Sequence, residues 1–221
     1  MKAIAAGMMI GASYSLVMEG ILFDEPDDTS NMTSMMRTMI GIISGLAFIL
    51  GTKSFLDAHE EIKIEGLQGA DTRKILLIVF VMTLHSFTEG VGIGVSFGGQ
   101  NGNELGVFIS ASLAVHNIPE GLAVAIVLLP RKVSKLAAAL WCIMTSLPQP
   151  LMAVPAYLFV EYFIPILPVG LGFAGGAMGW VGIFELLAEA WEDTEDIFVT
   201  GAISTLSLGA MLYIQEALDE R

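Results

Sequence analysis

Two histidine–glutamate pairs repeat the same spacing in an apolar part of the chain. The segment HSFTEGVGIGV begins at His85, and the segment HNIPEGLAVAI begins at His116. In each segment a glutamate follows the histidine by four residues, at Glu89 and at Glu120. Residues four apart lie on one face of a helix, about 6 Å apart along its axis. Each segment therefore predicts an imidazole and a carboxylate that project together.

These side-chain types suit a divalent cation bound in an apolar environment. An isolated ionised residue at the centre of a bilayer costs roughly 2.5–3.5 kcal/mol on insertion scales. Two carboxylates would balance the charge of a divalent transition metal, and neutral imidazoles would complete its ligands. Hydrogen bonding between helices and a proton relay use the same residue types and remain alternatives.

Further oxygen donors lie close to both histidines. Ser86 and Asn117 directly follow them in the sequence. Pro119 has no N–H, so the helical carbonyl of Val115 loses its partner and is available to a metal or a water. Irregular backbone at this depth is tolerated where it lines a cavity, as at transporter sites.

The composition predicts an integral membrane protein surrounded by a lipid bilayer. Of the 221 residues 54% are hydrophobic and 15% are charged, and the mean hydropathy is +0.72. Soluble domains have about 25% charged residues. The net charge of -13 argues against nucleic acid and anionic lipid as partners. With Cys142 as the only cysteine, no intramolecular disulfide is possible.

Seven apolar runs are long enough to cross a bilayer, which takes about 20 residues. They cover approximately residues 2–23, 38–57, 74–98, 104–129, 134–160, 164–190 and 197–217. Helices are expected because backbone groups in lipid must be satisfied within the segment. The expected fold is thus all-α, a polytopic transmembrane helix bundle forming a single domain over residues 1–221. The short polar turn at 98–104 makes the third and fourth spans antiparallel neighbours, which brings the two pairs together.

The distribution of Lys and Arg indicates the orientation of the spans. Basic residues on the side of the N-terminus are Lys2, Lys53, Lys63, Arg73, Lys74, Arg131, Lys132 and Lys135, against Arg37 and Arg221 on the other side. This bias predicts a cytoplasmic N-terminus and an extracytoplasmic or lumenal C-terminus, in the plasma membrane or an organelle membrane. The loop at 58–73, with His59, is then cytoplasmic.

Several motifs of the chain resemble those of a known family. HSFTEG and HNIPEG resemble the signatures of the fourth and fifth transmembrane helices of the ZIP (Zrt-, Irt-like) divalent metal transporters. The opening AAGMMIGASYSL resembles the family's second helix, TSLPQPLMAVPAY from Thr145 the sixth, and GFAGGAMGWVGIFELLAEA from Gly172 the seventh. The resemblance implies a ZIP-like fold that lacks the first of eight helices. The orientation predicted from the basic residues agrees with that implication.

The resemblance also implies a set of metal ligands. They are His85 and Glu89 from one helix and His116, Asn117 and Glu120 from the next. Ser86 stands where many members have Asn or Asp, and Gln149 stands where some have Glu. Both departures weaken a second, adjacent metal position, so one strong site is expected.

Other spans contribute further candidates by the same resemblance. Glu185, in the seventh helix of the family pattern, is a candidate ligand near the cytoplasmic end. Met8 or Met9 is a candidate from the first span of this chain. In membrane helices methionine more often serves for packing.

The function implied is that of a carrier and not an enzyme. Its transported substrate would be a divalent transition metal, zinc in the first place, with iron or manganese as alternatives, and no cofactor is expected. A negative-inside potential favours cation entry by roughly 2.3 kcal/mol per charge per 100 mV, so transport toward the cytosol is expected. A homodimer is a possible assembly.

Two other functions stay open from the sequence. The first is a seven-span membrane zinc hydrolase, which would need a metal-bound water, three protein ligands and a general base. The second is a non-transporting ZIP-like partner subunit, suggested by the apparent lack of the leading helix.

Overall fold

A computed structural model describes the chain at residues 1–24, 28–58, 70–98, 102–128 and 133–219. Four of the basic residues used for the predicted orientation fall outside these ranges, namely Lys63, Arg131, Lys132 and Arg221, and so does His59. The centre of the predicted turn at 98–104 also lies outside the described residues.

The described residues begin with four long helices, continue through a series of shorter helical segments and end with a fifth long helix. The first four are α1 (Lys2–Leu22), α2 (Ser34–Ala58), α3 (Ala70–Gly98) and α4 (Gly102–Leu128). Next come α5 (Lys135–Ser146), α6 (Pro148–Leu158), α7 (Val160–Phe163) and a 3-10 turn (Ile164–Ile166). The chain continues through α8 (Leu167–Trp180), a π-helix (Val181–Leu187), α9 (Ala188–Thr194) and α10 (Ile197–Asp219).

Seven of these helical stretches are long and apolar enough to cross a membrane. The predicted all-α bundle with seven spans is therefore confirmed. The sixth stretch, Val160–Thr194, is longer than the predicted 164–190. It includes Pro165 and Pro168 near the starts of helical segments. Proline is tolerated there because the first N–H groups of a helix have no intrahelical partner, so these residues do not end the span.

Glycines allow close contact among α1, α2, α8 and α10. Gly41 and Gly45 of α2 lie against the backbone of α8, and Gly172 of α8 lies against that of α2. Gly7 of α1 lies against the backbone of α10 in the same way. At each position a Cβ would overlap a backbone carbonyl oxygen of the other helix. Small residues at this spacing are typical of closely packed membrane helices, and these four helices form one packed group.

A second packed group consists of α3, α4, α5 and α6. Gly90 and Gly94 of α3 lie against the backbone of α6 at Gln149 and Ala153. The side chain of Gln149 is thereby brought close to α3 at the position of Glu89. The α3 helix also packs on α8, which joins the two groups.

Ion pairs mark one end of the bundle, which we call the lower end. Nζ of Lys2, at the start of α1, lies 2.7 Å from Asp193 and 3.3 Å from Glu189 of α9. Near the end of α2, Nζ of Lys53 lies 3.2 Å from Glu185. The same ammonium group lies 4.8 Å from the ring centroid of Trp180. These contacts join the α1 start, the α2 end and the end of the sixth stretch.

A buried arginine joins the elements at the opposite, upper end. Arg37, near the start of α2, is 4% exposed and forms a two-pronged ion pair with Asp28. Its guanidinium also donates to the carbonyl of Pro165 at 2.7 Å. Burial alone would raise the pKa of Asp28, but hydrogen bonds from Arg37 and from the N–H of Ser30 lower that pKa below its usual value.

Candidate metal site

Three buried side chains from two helices meet in the interior of the bundle. Nε2 of His85 on α3 lies 3.3 Å from the carboxylate of Glu89 and contacts the carboxylate of Glu120 on α4. One ligand atom from each of the three residues lies within 4.8 Å of the other two. His85 is 1% exposed, Glu89 is 2% exposed and Glu120 is 5% exposed. An ion placed among these atoms would be offered one imidazole nitrogen and two carboxylates.

Helix periodicity and helix packing together produce this cluster. His85 and Glu89 touch because residues four apart share a helix face. Glu120 reaches them because α3 and α4 are packed neighbours. The side chains of His116 and Pro119 lie outside the described part of the structure, although α4 is helical at both positions.

An amide pair connects the cluster to α6. The side-chain amide of Asn117 on α4 lies between Glu89 and Gln149. With its nitrogen turned toward Glu89, Asn117 donates to the two carboxylate oxygens at 3.0 and 3.2 Å. Its amide oxygen then lies 3.0 Å from the side-chain amide of Gln149, which donates to it when the nitrogen of that amide is turned toward Asn117. Gln149 thus reaches Glu89 through Asn117.

The remaining sequence candidates occupy different surroundings. Ser86 is buried on α3 directly after His85, with 1% of its surface exposed. Glu185 is not one of the three clustered residues, and its carboxylate lies 3.2 Å from Nζ of Lys53 in the π-helix region. Met9 is fully buried beside Gly182 of the π-helix, and Met8 packs against the hydrophobic core.

The charge of the cluster fits a doubly charged cation. Two carboxylates in a buried site supply up to two negative charges, and their desolvation is offset only when cationic groups and hydrogen bonds accompany them. Imidazole nitrogen with carboxylate oxygen is a ligand set that suits zinc, iron and other first-row divalent metals. The chemistry of the donors therefore fits a divalent transition metal.

One polar position near this site was not assigned by the sequence analysis. Glu19, three residues before the end of α1, lines a small cavity together with residues of α3, α4 and α8. The signal in the sequence was a carboxylate inside an otherwise apolar run. The position of Glu19 relative to the histidine–glutamate pairs depends on how α1 packs against the other helices. The sequence pattern does not specify that packing.

The fold and the cluster define a polytopic helical membrane protein with a buried imidazole–carboxylate site. The sequence profile of the ZIP zinc transporter family matches residues 57–190, more than half of the chain. This chain therefore belongs to the ZIP zinc transporter family. The predicted resemblance is thereby confirmed.

Individual relatives support the same assignment. The zinc transporter GufA of Myxococcus xanthus is 33% identical over 181 residues, which cover 81% of this chain and 71% of GufA. The zinc transporter ZIPB of Bordetella bronchiseptica is 28% identical over 221 residues, which cover 99% of this chain and 71% of ZIPB. A homologue from Arabidopsis thaliana is 43% identical over 210 residues, which cover 95% of this chain but only 32% of that protein. The chain thus spans about a third of the length of the Arabidopsis relative.

These relatives are named as transporters and not as enzymes. The expectation that this chain is not an enzyme is therefore supported. The zinc hydrolase that the sequence left open is not favoured.

Proposed function

We propose that this protein transports a divalent transition metal, with zinc as its main substrate, through a site formed by His85, Glu89 and Glu120. The observation that carries the proposal is the convergence of their ligand atoms within 4.8 Å in the interior of the bundle. GufA and ZIPB are both named as zinc transporters. Iron and manganese fit the same ligand chemistry and are proposed as secondary substrates.

The neighbouring residues have distinct proposed roles. His116 would add a second imidazole, since α4 places it one turn before Glu120. Asn117 and Gln149 would orient the Glu89 carboxylate through the amide pair. Ser86 would add a neutral hydroxyl beside His85. Because none of these side chains carries a further negative charge, the site would hold one divalent ion tightly.

A transporter must release the ion that it binds. Imidazole and carboxylate ligands exchange more readily than a closed thiolate cage, and a chain with one cysteine has no such cage. The cluster belongs to the α3–α6 group, which packs on the α1, α2, α8 and α10 group. Displacement of one group against the other would open the cluster alternately to each side. We propose that the upper end faces away from the cytosol and that transport runs toward the cytosol, with the membrane potential.

Metal uptake into proteoliposomes tests this function. The wild type should take up radioactive zinc, and Glu89→Gln and Glu120→Gln should each lower the initial rate more than tenfold. Both changes keep the volume of the side chain and remove one charge from the ligand set. Glu161→Gln is the matched control, because Glu161 is an exposed acid of α7 outside the cluster.

Competition with iron and manganese then ranks the three metals by how well they compete for transport. Unlabelled iron or manganese should compete with zinc only at higher concentration than unlabelled zinc does. Zinc flux that is equal in the wild type and in Glu120→Gln would contradict the proposed site. An absence of zinc, iron and manganese flux in the wild type would contradict the proposed function itself.

A further inference from the structure

A cavity lies near the metal cluster, toward the upper end of the bundle. Its volume is about 160 Å³, and its wall is formed by α1, α3, α4 and α8. The lining includes Glu19 of α1, Gly92 and Ser96 of α3, Ile109 of α4 and Leu167 of α8. All of these residues belong to the upper halves of their helices, on the side where Arg37 contacts Pro165.

The position of the cavity along α3 places it directly above the cluster. His85, Glu89, Gly92 and Ser96 follow one another at intervals of four, three and four residues, which keeps them on one helix face. At 1.5 Å per residue, Gly92 lies about 5 Å and Ser96 about 10 Å above Glu89 along the helix axis. The cavity therefore begins one helical turn from a carboxylate of the cluster.

The α4 helix also places the cavity in line with the cluster. Ile109 precedes Glu120 by eleven residues, or three helical turns, so both lie on one face of α4. This face joins the cavity to the cluster, as the face of α3 does. The cavity and the cluster are consecutive along one axis between α3 and α4.

Glu19 brings a charge to a wall that is otherwise mainly apolar. It lies three residues before the end of α1 and is exposed. Ser96 adds a hydroxyl to the wall, and this hydroxyl donates to the carbonyl of Ile93 at 2.8 Å. A negative charge between low-dielectric walls concentrates its field in the opening and raises the local concentration of cations. A doubly charged ion responds to that field twice as strongly as a monovalent one.

We propose that this cavity is the outer vestibule of the transport pathway and that Glu19 attracts the hydrated divalent metal there before it passes to His85, Glu89 and Glu120. The inference rests on the proposed function and adds a second, weaker cation position to it. One carboxylate with a neighbouring hydroxyl leaves most of the hydration shell in place. The ion is therefore held loosely and passes on to the three-residue cluster.

Initial rates of zinc uptake test the vestibule in the full chain. Glu19→Gln should raise the KM for zinc about tenfold and leave the maximal rate within about twofold of the wild type, since the charge acts on local ion concentration. Added salt should raise the wild-type KM and have a smaller effect on that of Glu19→Gln. Glu161→Gln removes an exposed carboxylate at the same end of the bundle, away from the cavity wall, and should leave KM unchanged.

Equilibrium titration of zinc into the protein in nanodiscs of neutral lipid measures zinc binding independently of transport. The wild type and Glu161→Gln should show a tight event and a weak event, and Glu19→Gln should keep the tight event and lose the weak one. An unchanged KM together with an unchanged titration in Glu19→Gln would overturn the vestibule and leave the proposed function standing. Loss of the weak event in a protein whose wild type carries no flux would support Glu19 as a weak cation position and contradict the proposed function.

Discussion

Gly90 of α3 lies so close to the backbone carbonyl of Gln149 on α6 that a Cβ at position 90 would overlap this oxygen. Gly90 directly follows Glu89 in the chain. The close approach of the two helices carries Gln149 to the amide of Asn117. With its nitrogen turned toward Glu89, Asn117 in turn donates to that carboxylate. Packing and the proposed metal ligand are therefore linked through a single glycine.

The first prediction concerns this close approach. Gly90→Ala should lower the free energy of unfolding by roughly 1–3 kcal/mol, because the added methyl group must push α6 away from α3. Gly92→Ala is the control on the same helix, since nothing lies within 4 Å of a Cβ built there. Thermal unfolding of the detergent-solubilised protein measures both. Equal melting temperatures for the two variants would contradict the packing described for α3 and α6.

The second prediction concerns the ion pair between Asp28 and Arg37. Because the folded-state pKa of Asp28 is lowered below the unfolded value of about 3.9, the pair stabilises the fold above that pH. The stabilisation is lost as the pH falls through the folded-state pKa. Asp28→Asn should therefore cost roughly 1–3 kcal/mol near neutral pH and progressively less below about pH 4.

A pH series of melting temperatures measures this loss. Asp24→Asn is the control, since Asp24 is an exposed acid four residues earlier in the same connection. It should change the melting temperature little at any pH. A penalty for Asp28→Asn that stays constant from neutral to strongly acidic pH would show that the charge of Asp28 is not what stabilises the upper end.

The third prediction concerns the neutral amides beside Glu89. Replacing Asn117 with Asp and Gln149 with Glu in one protein adds two carboxylates next to the cluster. Four acidic groups can balance two divalent ions, so the double variant should bind a second zinc ion tightly and release metal more slowly. Zinc stoichiometry by equilibrium dialysis and the turnover rate of uptake measure the two effects. One tight zinc ion per chain in both proteins would contradict the role given to the amides.

The fourth prediction separates Glu185 from the cluster. Because Glu185 lies 3.2 Å from Nζ of Lys53 and outside the three-residue group, Glu185→Gln should keep the tight binding of zinc. Glu120→Gln should weaken that binding more than tenfold. Calorimetric titration of zinc into both variants measures the two affinities. Equal losses of zinc affinity in Glu185→Gln and Glu120→Gln would place Glu185 among the ligands.

The sequence predicted the spans and the residues of the cluster for clear physical reasons. Apolar runs of about 20 residues are a direct consequence of bilayer thickness, so all seven spans could be read from hydropathy. The contact between His85 and Glu89 follows from the period of the helix. Glu120 was placed near them because a short connection makes α3 and α4 antiparallel neighbours.

Contacts between helices that are far apart in the sequence could not be predicted from the sequence pattern. Lys53 served in the sequence analysis only as one of the basic residues that indicate orientation, whereas the structure pairs it with Glu185 and places it over the ring of Trp180. The ion pair of Arg37 with Asp28 and the cavity at Glu19 likewise depend on which helix faces pack together. Hydropathy and helix periodicity do not specify which helix faces pack together, because several packings bury the same apolar faces.

Anomalous diffraction at the zinc absorption edge from zinc-loaded crystals locates the metal that His85, Glu89 and Glu120 are proposed to bind. We expect the strongest anomalous peak about 2.0–2.2 Å from Nε2 of His85 and from carboxylate oxygens of Glu89 and Glu120. The peak should disappear in crystals of Glu120→Gln prepared in the same way. A strongest peak elsewhere in the bundle, with His85, Glu89 and Glu120 in contact with one another and free of metal, would contradict the proposed metal site.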